Sequence, residues 1–565
     1  MRFLSEGNAF SLKVFFLLFL YLLSNNFVIA QYITAGDLVY EEAFRRNQLI
    51  NYQPENDYSL LIRPVYLSKP YFQKDSIEKL IKENLNFTIL PFRLVSQFNS
   101  NRPYGWGDLS MIPNVGFQEL FSGGIAGNFK FIHFQIQPEI VWAQNKSFQG
   151  FSDQFSRGTL LARFHYWNFG DAPERFGDRS YFNGWWGQSG LSLRFHSVEI
   201  GVSTRNIWWG PGQFNSLTLS NNAQGFPHIS LNTIRPLKTF LGKFEGQLIS
   251  GKLKDSGFDG SQNSELNELY FEEFNGDYKY LNGLSISYQP KWIEGLYLGF
   301  SRTFQRYSQF MGNSFNDYFP VFEAFQKNKF FENGNTLQYD NNGYDQQVSV
   351  SFRLLIPNKG FEIYGEFGRR DHAFNWREAI LNPEHARAYL LGFNKIIETG
   401  QKYRFFQIRS EITHTQSSNN RYVRYPGLLG GYAWHTHNEA RGFSHKGQPL
   451  GVGSGIGSNV QTIEVSVVEG LNKKGILLER LANHQDFFYR AFGQNPEKKP
   501  WVDFSLGLLW DHQWERLLLS SKLQLIRSSN YQWQSNKLST NDFSSGAHKT
   551  ALFAQLNLIY PISKN

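Results

Sequence analysis

The 565-residue chain reads as all-β, a transmembrane barrel of antiparallel strands of the outer-membrane kind, with a small helical region near its N-terminus. Three observations carry that reading. Short segments alternate apolar and polar residues with period two, as a wall with lipid on one face and a lumen on the other requires. Beyond Leu23 no apolar run approaches the roughly 20 residues of a membrane helix. Mean hydropathy is −0.42, which alone would describe a soluble secreted protein. Aromatic residues, however, make 17% of the chain, including 54 Phe and 28 Tyr beside 50 Gly, a bias suited to interfacial girdles and backbone bends rather than to a soluble sandwich.

In chain order, Arg2 and Lys13 precede an apolar run from Val14 to Leu23, and Val28-Ile29-Ala30 supplies a cleavage site, so residues 1–30 read as a secretory signal peptide with the mature chain from about Gln31. Cysteine is absent, which excludes a lipid anchor on cysteine, a disulfide framework and thiolate chemistry. Residues 31–90 form an N-terminal helical, plug-like region. Asp37 is placed to cap a helix through Leu49, and Asp75 with Glu78 resembles a capping box ahead of Ile77, Leu80 and Ile81. Pro64 ends the run that starts at Tyr58.

Residues 91–565 carry the barrel. In 130–139 Ile132, Phe134 and Ile136 oppose His133, Gln135, Gln137 and Glu139. Val348, Val350, Phe352 and Leu354 oppose Ser349, Ser351 and Arg353; Phe406, Ile408 and Ile412 oppose Gln407, Arg409, Glu411 and Thr413; Ile463, Val465 and Val467 oppose Thr462, Glu464 and Ser466. The last such strand, with Leu552, Ala554, Leu556, Leu558 and Tyr560 on one face, is suited to closing the barrel. Strands of this length leave room for roughly 14 to 20, with an even number expected. Polar, glycine-rich inserts at 251–266, 308–343, 414–461 and 528–548 exceed periplasmic turns in length and are placed outside the cell.

Residues 208–223 hold a Trp pair, a Gly-Pro-Gly bend and a Ser-Asn-Asn-Ala close. Trp209-Gly210-Pro211, Ser216-Leu217, Leu219-Ser220-Asn221-Asn222-Ala223 and Pro227 resemble the hallmark segment of the Wzi family of capsule assembly proteins. Three further blocks are similar to that family: Glu362 to Asp371, Asn382 to Gly392 in the form found in members from Bacteroidetes, and Arg441 to Gly451. The resemblance implies about 18 strands, a helical region occluding the periplasmic end, and a lectin that attaches or organises capsular or extracellular polysaccharide without turnover. It places the chain in the cell outer membrane, among lipid and beside polysaccharide export machinery.

Glycan binding requires flat aromatic faces for sugar C–H surfaces, fixed polar groups for hydroxyls and a cation for uronates. Trp185, Trp186, Trp208 and Trp209 are candidates for the first, although Trp pairs also anchor barrels at membrane interfaces. Asn221, Asn222, Glu366, Arg369, Asp371, Arg441 and Lys446 are candidates for the polar set. Glu362, Tyr364 and Glu366 share one strand face and with Arg369 would form a lumenal charge ladder. His435, His437 and Glu439 share a face if extended, which is weak support for a metal, and loop histidines are the simpler reading. The glycines at 451, 453, 455 and 457 precede a strand rather than a helix, which excludes a phosphate loop. The carboxylate pair Glu362 and Glu366 lacks the context of a glycosidase, and no nucleophile motif is present, so no enzyme, cofactor or metal is expected. Fifty-six basic residues lie scattered among 48 acidic ones, at a formal charge of +8, without the basic patch of a nucleic-acid binder. A porin or substrate-specific channel and a surface adhesion or gliding protein stand as alternatives.

Overall fold

The computed structural model describes residues 31–33, 35–36, 38–52, 58–67, 85–274, 277–323, 345–370, 376–381, 383–401, 403–418, 433–493, 498–534 and 547–560. Eighteen antiparallel wall strands close on themselves, each bonded to its neighbours in sequence. They are β1 (Leu85–Asn99), β2 (Gly116–Phe129), β3 (Ile132–Ile136 with Glu139–Ala143), β4 (Tyr181–Trp185 with Gly190–Phe195), β5 (Val198–Ser203), β6 (His228–Thr233 with Leu237–Lys238), β7 (Gly242–Leu253), β8 (Lys279–Pro290), β9 (Leu296–Tyr307), β10 (Asp345–Ile356), β11 (Phe361–Arg370), β12 (Arg387–Glu398), β13 (Arg404–His414), β14 (Asn459–Glu469), β15 (Asn472–Ala482), β16 (Val502–Trp514), β17 (Leu517–Ser529) and β18 (Lys549–Tyr560). β18 meets β1 with Phe553 opposite Asn99 and Tyr560 opposite Phe92, so no strand edge is left open.

The alternation is inside-out relative to a soluble sheet. Along β13, Gln407, Arg409, Glu411 and Thr413 are buried while Phe406 and Ile412 are exposed, and β14 repeats this with Thr462, Glu464 and Ser466 inside. The exposed apolar face is the one lipid covers. Prolines mark three breaks in the ladder, Pro236 dividing the two parts of β6 among them. Pro138 interrupts β3, and β1 shifts register between Leu90 and Arg93, around Pro91, because neither ring can donate to a neighbour.

One barrel end carries short turns such as Gly470-Leu471 between β14 and β15. The other carries all the long connections, including the four inserts singled out by composition, whose outermost residues belong to the flanking strands. Helix α1 (Leu38–Ile50) lies inside the lumen at the short-turn end, with nine of its 13 residues buried. Its charges are clamped to the wall: Glu42 meets Arg409 at 3.0 Å and Lys473 at 2.8 Å, and Arg45 meets Glu362. Helix α1 therefore fills the lumen at this end. The expected cap Asp37 and the expected capping box Asp75 with Glu78 lie outside the described residues, as does the leader.

Helix α2 (Arg157–Gly170), capped by the Ser156 hydroxyl accepting from the Thr159 N–H, packs on α3 (Gln485–Phe492) at the long-loop end. With Phe151, Trp501, Tyr531 and Trp533 they form an aromatic cluster over the lumen.

Candidate functional site

Residues 208–223 fold inward from the β5–β6 connection and cross the lumen as a second plug layer. Trp208 and Trp209 pair with Arg63 and Ile62 of the N-terminal region. Arg63 donates to the carbonyls of Gly210 and Gly212 at 2.9 and 2.8 Å, donates to Glu41 at 2.9 Å, and lies 4.4 Å from the Trp208 ring centroid. The Glu411 carboxylate accepts the consecutive N–H groups of Gln213, Phe214 and Asn215 at 2.7, 3.2 and 2.8 Å, and the Tyr364 hydroxyl at 3.0 Å. The Leu217 N–H donates to Glu366 at 3.2 Å. Gly210 has φ of +125°, and a Cβ there would lie 2.6 Å from a Glu366 oxygen, so the bend admits only glycine. Farther along, the Asn221 carbonyl accepts the Leu109 N–H at 2.8 Å, and Asn222 joins the Gly107 N–H to the Pro449 carbonyl.

This geometry reassigns several of the expected contacts. Trp208 and Trp209 are 1% and 0% exposed, so neither reaches lipid, and Trp208 lines a cavity on the α1 side together with Asn221; Asn222, bonded within the plug, also lines a cavity on the long-loop side. Trp185 points inward and donates to Glu139 at 3.2 Å, whereas Trp186, 66% exposed, stands on the outer face of β4. Glu362, Tyr364 and Glu366 do share the lumenal face of β11, but Arg369 is not their partner. Alternation carries that face through Gly368 to Arg370, whose guanidinium is fully buried and donates to Asp345 at 3.0 Å, while Arg369 lies on the side of Phe367. Asp371 lies outside the described residues.

Arg441 donates to the Asn168 carbonyl at the end of α2 and lies 4.3 Å from the Phe274 ring centroid. Lys446 sits in the turn of a small hairpin joining Ser444–His445 to Gln448–Pro449. Burial lowers the pKa of its ammonium, and Lys254 nearby adds to the effect. His435 bonds the Val452 carbonyl at 3.1 Å, while His437 accepts the N–H groups of Glu439 and Ala440 at 3.2 and 3.1 Å. Among the described residues no three metal-ligating side chains converge.

The inward segment separates two cavities that share Tyr104, Gly105, Trp106 and Gly107 in their walls. The inner one lies against α1 and is lined by paired charges such as Glu42, Arg409 and Lys473. The outer one lies beneath the aromatic cluster and offers the groups glycan binding requires: Trp106 and Trp501 among its rings, Arg102 and Arg163 among its cations, and Gln448 and Asn483 among its amides. Sequence reading passed over these residues. Arg102-Pro103-Tyr104-Gly105-Trp106-Gly107 carries a visible aromatic and glycine signal, but Arg163 lies within a helix whose placement over the lumen only the closed fold reveals.

The chain is similar in structure to an Escherichia coli outer-membrane protein involved in group 1 capsule assembly and described as a carbohydrate-binding β-barrel. The TM-score is 0.55 at 14% identity, covering 94% of this chain and 100% of that one. Acinetobacter baumannii OccAB2 and the Pseudomonas aeruginosa outer-membrane protein OprD each align with a TM-score of 0.37. They share 11% and 7% identity, over 84% and 85% of this chain and 97% and 94% of theirs. No curated protein matches it in sequence. The sequence profile described as capsule assembly protein Wzi matches residues 121–536, most of the barrel and all of the inward segment, and the chain therefore belongs to the Wzi capsule assembly family.

Proposed function

We propose that this barrel holds a capsular or extracellular polysaccharide at the cell surface by binding it, without turnover, in the outer cavity. The observation that carries the reading is the pairing of a lumen blocked by α1 and residues 208–223 with an aromatic, cation-bearing cavity on the long-loop side. A solute channel has no use for two plug layers, whereas a retaining lectin needs a fixed floor beneath its ligand. On this reading residues 1–30 are the leader, 31–90 the periplasmic plug region and 91–565 the barrel, with the long loops outside the cell. Arg441 and Lys446 brace the cavity's surroundings, Trp208, Trp209, Asn221, Asn222 and Glu366 hold its floor, and Trp186 anchors the wall in lipid. The E. coli relative, carbohydrate-binding and involved in capsule assembly, supports the same partner here.

Deleting the gene is expected to shift surface polysaccharide from the cell pellet to the medium while leaving the total unchanged, as read by capsule staining and by assay of shed polymer. Retention of a full cell-attached layer would overturn the proposal. Trp106, half-buried in the cavity wall, supplies a ring face, and Trp106→Ala is expected to weaken binding of the cell's own polysaccharide by roughly 1 kcal/mol, or about fivefold, in calorimetry.

A further inference from the structure

Arg163 sits on the inner face of α2, is 5% exposed, and lines the outer cavity. Its guanidinium lies 4.5 Å from the Trp167 ring centroid and 5.5 and 5.8 Å from those of Phe487 and Trp533. These rings stabilise a cation from their faces, but they do not accept its in-plane N–H bonds. Among the described residues Arg163 makes no ion pair and no hydrogen bond, and its Nε has no partner. The contrast with the other arginine of this cavity is direct: Arg102 meets Asp503 at 2.9 Å. Glu174, also in the wall, acts on Arg163 only through its charge and makes no hydrogen bond or ion pair with it; its oxygens accept the N–H groups of Phe151 at 2.7 Å and Gln262 at 3.2 Å.

The neighbours repeat the imbalance. The indole N–H groups of Trp167 and Trp533 are buried without acceptors. His484, 6.0 Å from Trp533 between ring centroids, has a buried Nδ1 without a partner. Burial drives the His484 pKa well below its ordinary value, so the ring is neutral and adds no second positive charge. A buried guanidinium with no hydrogen-bond acceptor, beside unsatisfied N–H groups, is costly, and a planar anion in the cavity removes the cost with bidentate geometry. Carboxylate fits the fork, and a sugar ring carrying it fits a cavity with Trp106 in its wall.

We propose that the outer cavity is selective for acidic sugar residues, with the uronate carboxylate taken by the Arg163 guanidinium. This deepens the polysaccharide-binding role argued above and rests on it. The test uses the full-length purified barrel in detergent, titrated by tryptophan fluorescence with tetragalacturonate and with its carboxyl-reduced form, galactotetraose. The acidic probe is expected to bind at least about tenfold more tightly, a preference that weakens with salt. Arg163→Gln is expected to abolish the preference by loosening the acidic probe, leaving the neutral one within about twofold, and Arg163→Lys to restore part of it. Because the variant removes an unpartnered buried charge, its melting temperature should match or exceed that of the native barrel, whereas a drop of more than about 5 °C would mark a packing role and overturn the inference. Equal binding of both probes by the native protein, or a preference that survives Arg163→Gln, would also overturn it while leaving polysaccharide binding intact. If neither probe binds and the cell's own polysaccharide does not bind either, both readings fall together.

Discussion

A planar bilayer containing the native barrel is expected to carry no steady ion current, and Glu411→Ala is expected to give it one. Glu411 stands on the lumenal face of β13 and its carboxylate gathers three successive backbone N–H groups from Gln213, Phe214 and Asn215. Each of those three N–H groups finds its acceptor in this one carboxylate. Removing the carboxylate leaves them buried and unpaired, at about 1–3 kcal/mol for each. The sum outweighs the bond from Leu217 to Glu366 on the next stretch, while the flanks of the segment stay held by Arg63 on the Gly210 and Gly212 carbonyls and by the contacts of Asn221 and Asn222. The segment should then swing toward the long-loop end, where water satisfies its backbone, and openings should appear as current steps. Adding Glu366→Ala removes the neighbouring acceptor and should make the open state persistent. Steady steps from the native protein would contradict an occluded lumen. A silent double variant would show instead that α1, or the two other inward loops around Leu109 and Pro449, keep the lumen shut without these carboxylates.

How much of this was legible in the sequence depends on the range of the interaction. Period-two patterning is local, so the apolar and polar faces of β13, β14 and β18 read correctly, and the lipid-facing sense followed from charges as large as Arg409 and Glu411 on the other face. A phase error of one residue is equally local and has the opposite effect. Taking Arg369 as the cation of the ladder moved the charge to the wrong side of β11, although continuing the Glu362, Tyr364, Glu366 alternation leads to Arg370. The 208–223 segment stood out for its turn residues, but its neighbours are Arg63, Glu366 and Glu411, and Glu411 lies 196 residues from Asn215 along the chain. Nothing within a window of the sequence distinguishes a Trp pair that stacks on sugar from one that fills a lumen. The same holds for Arg163, whose lack of an acidic partner is a property of the closed cavity and not of the helix that carries it.

Glu362→Gln is expected to be the most damaging single change to the plug. Glu362 is fully buried and lies between two guanidiniums: Arg45 of α1 donates to it through Nε at 2.8 Å, and Arg353 of β10 at 2.7 Å. Arg353 also donates to the Ser59 carbonyl at 2.9 Å and to Gln48 at 2.8 Å, so the carboxylate is the anion at the centre of the joint between helix and wall. Without it two buried cations face each other across the space it occupied, a loss of about 3–5 kcal/mol. Removing Arg45 instead leaves Glu362 still paired with Arg353, so Arg45→Met should cost distinctly less. Trypsin reads the difference, because Arg45 and Arg46 are protected only while α1 stays in the lumen. If cleavage follows the population of the displaced helix, a loss of about 3 kcal/mol raises its rate more than about 100-fold at constant protease. Equal cleavage of native and Glu362→Gln proteins would mean that the clamp of Glu42 on Arg409 and Lys473 holds α1 unaided. The triple change Glu362→Leu, Arg45→Met and Arg353→Met removes all three charges together, and its partial recovery of protection would assign the damage in Glu362→Gln to uncompensated charge rather than to lost volume.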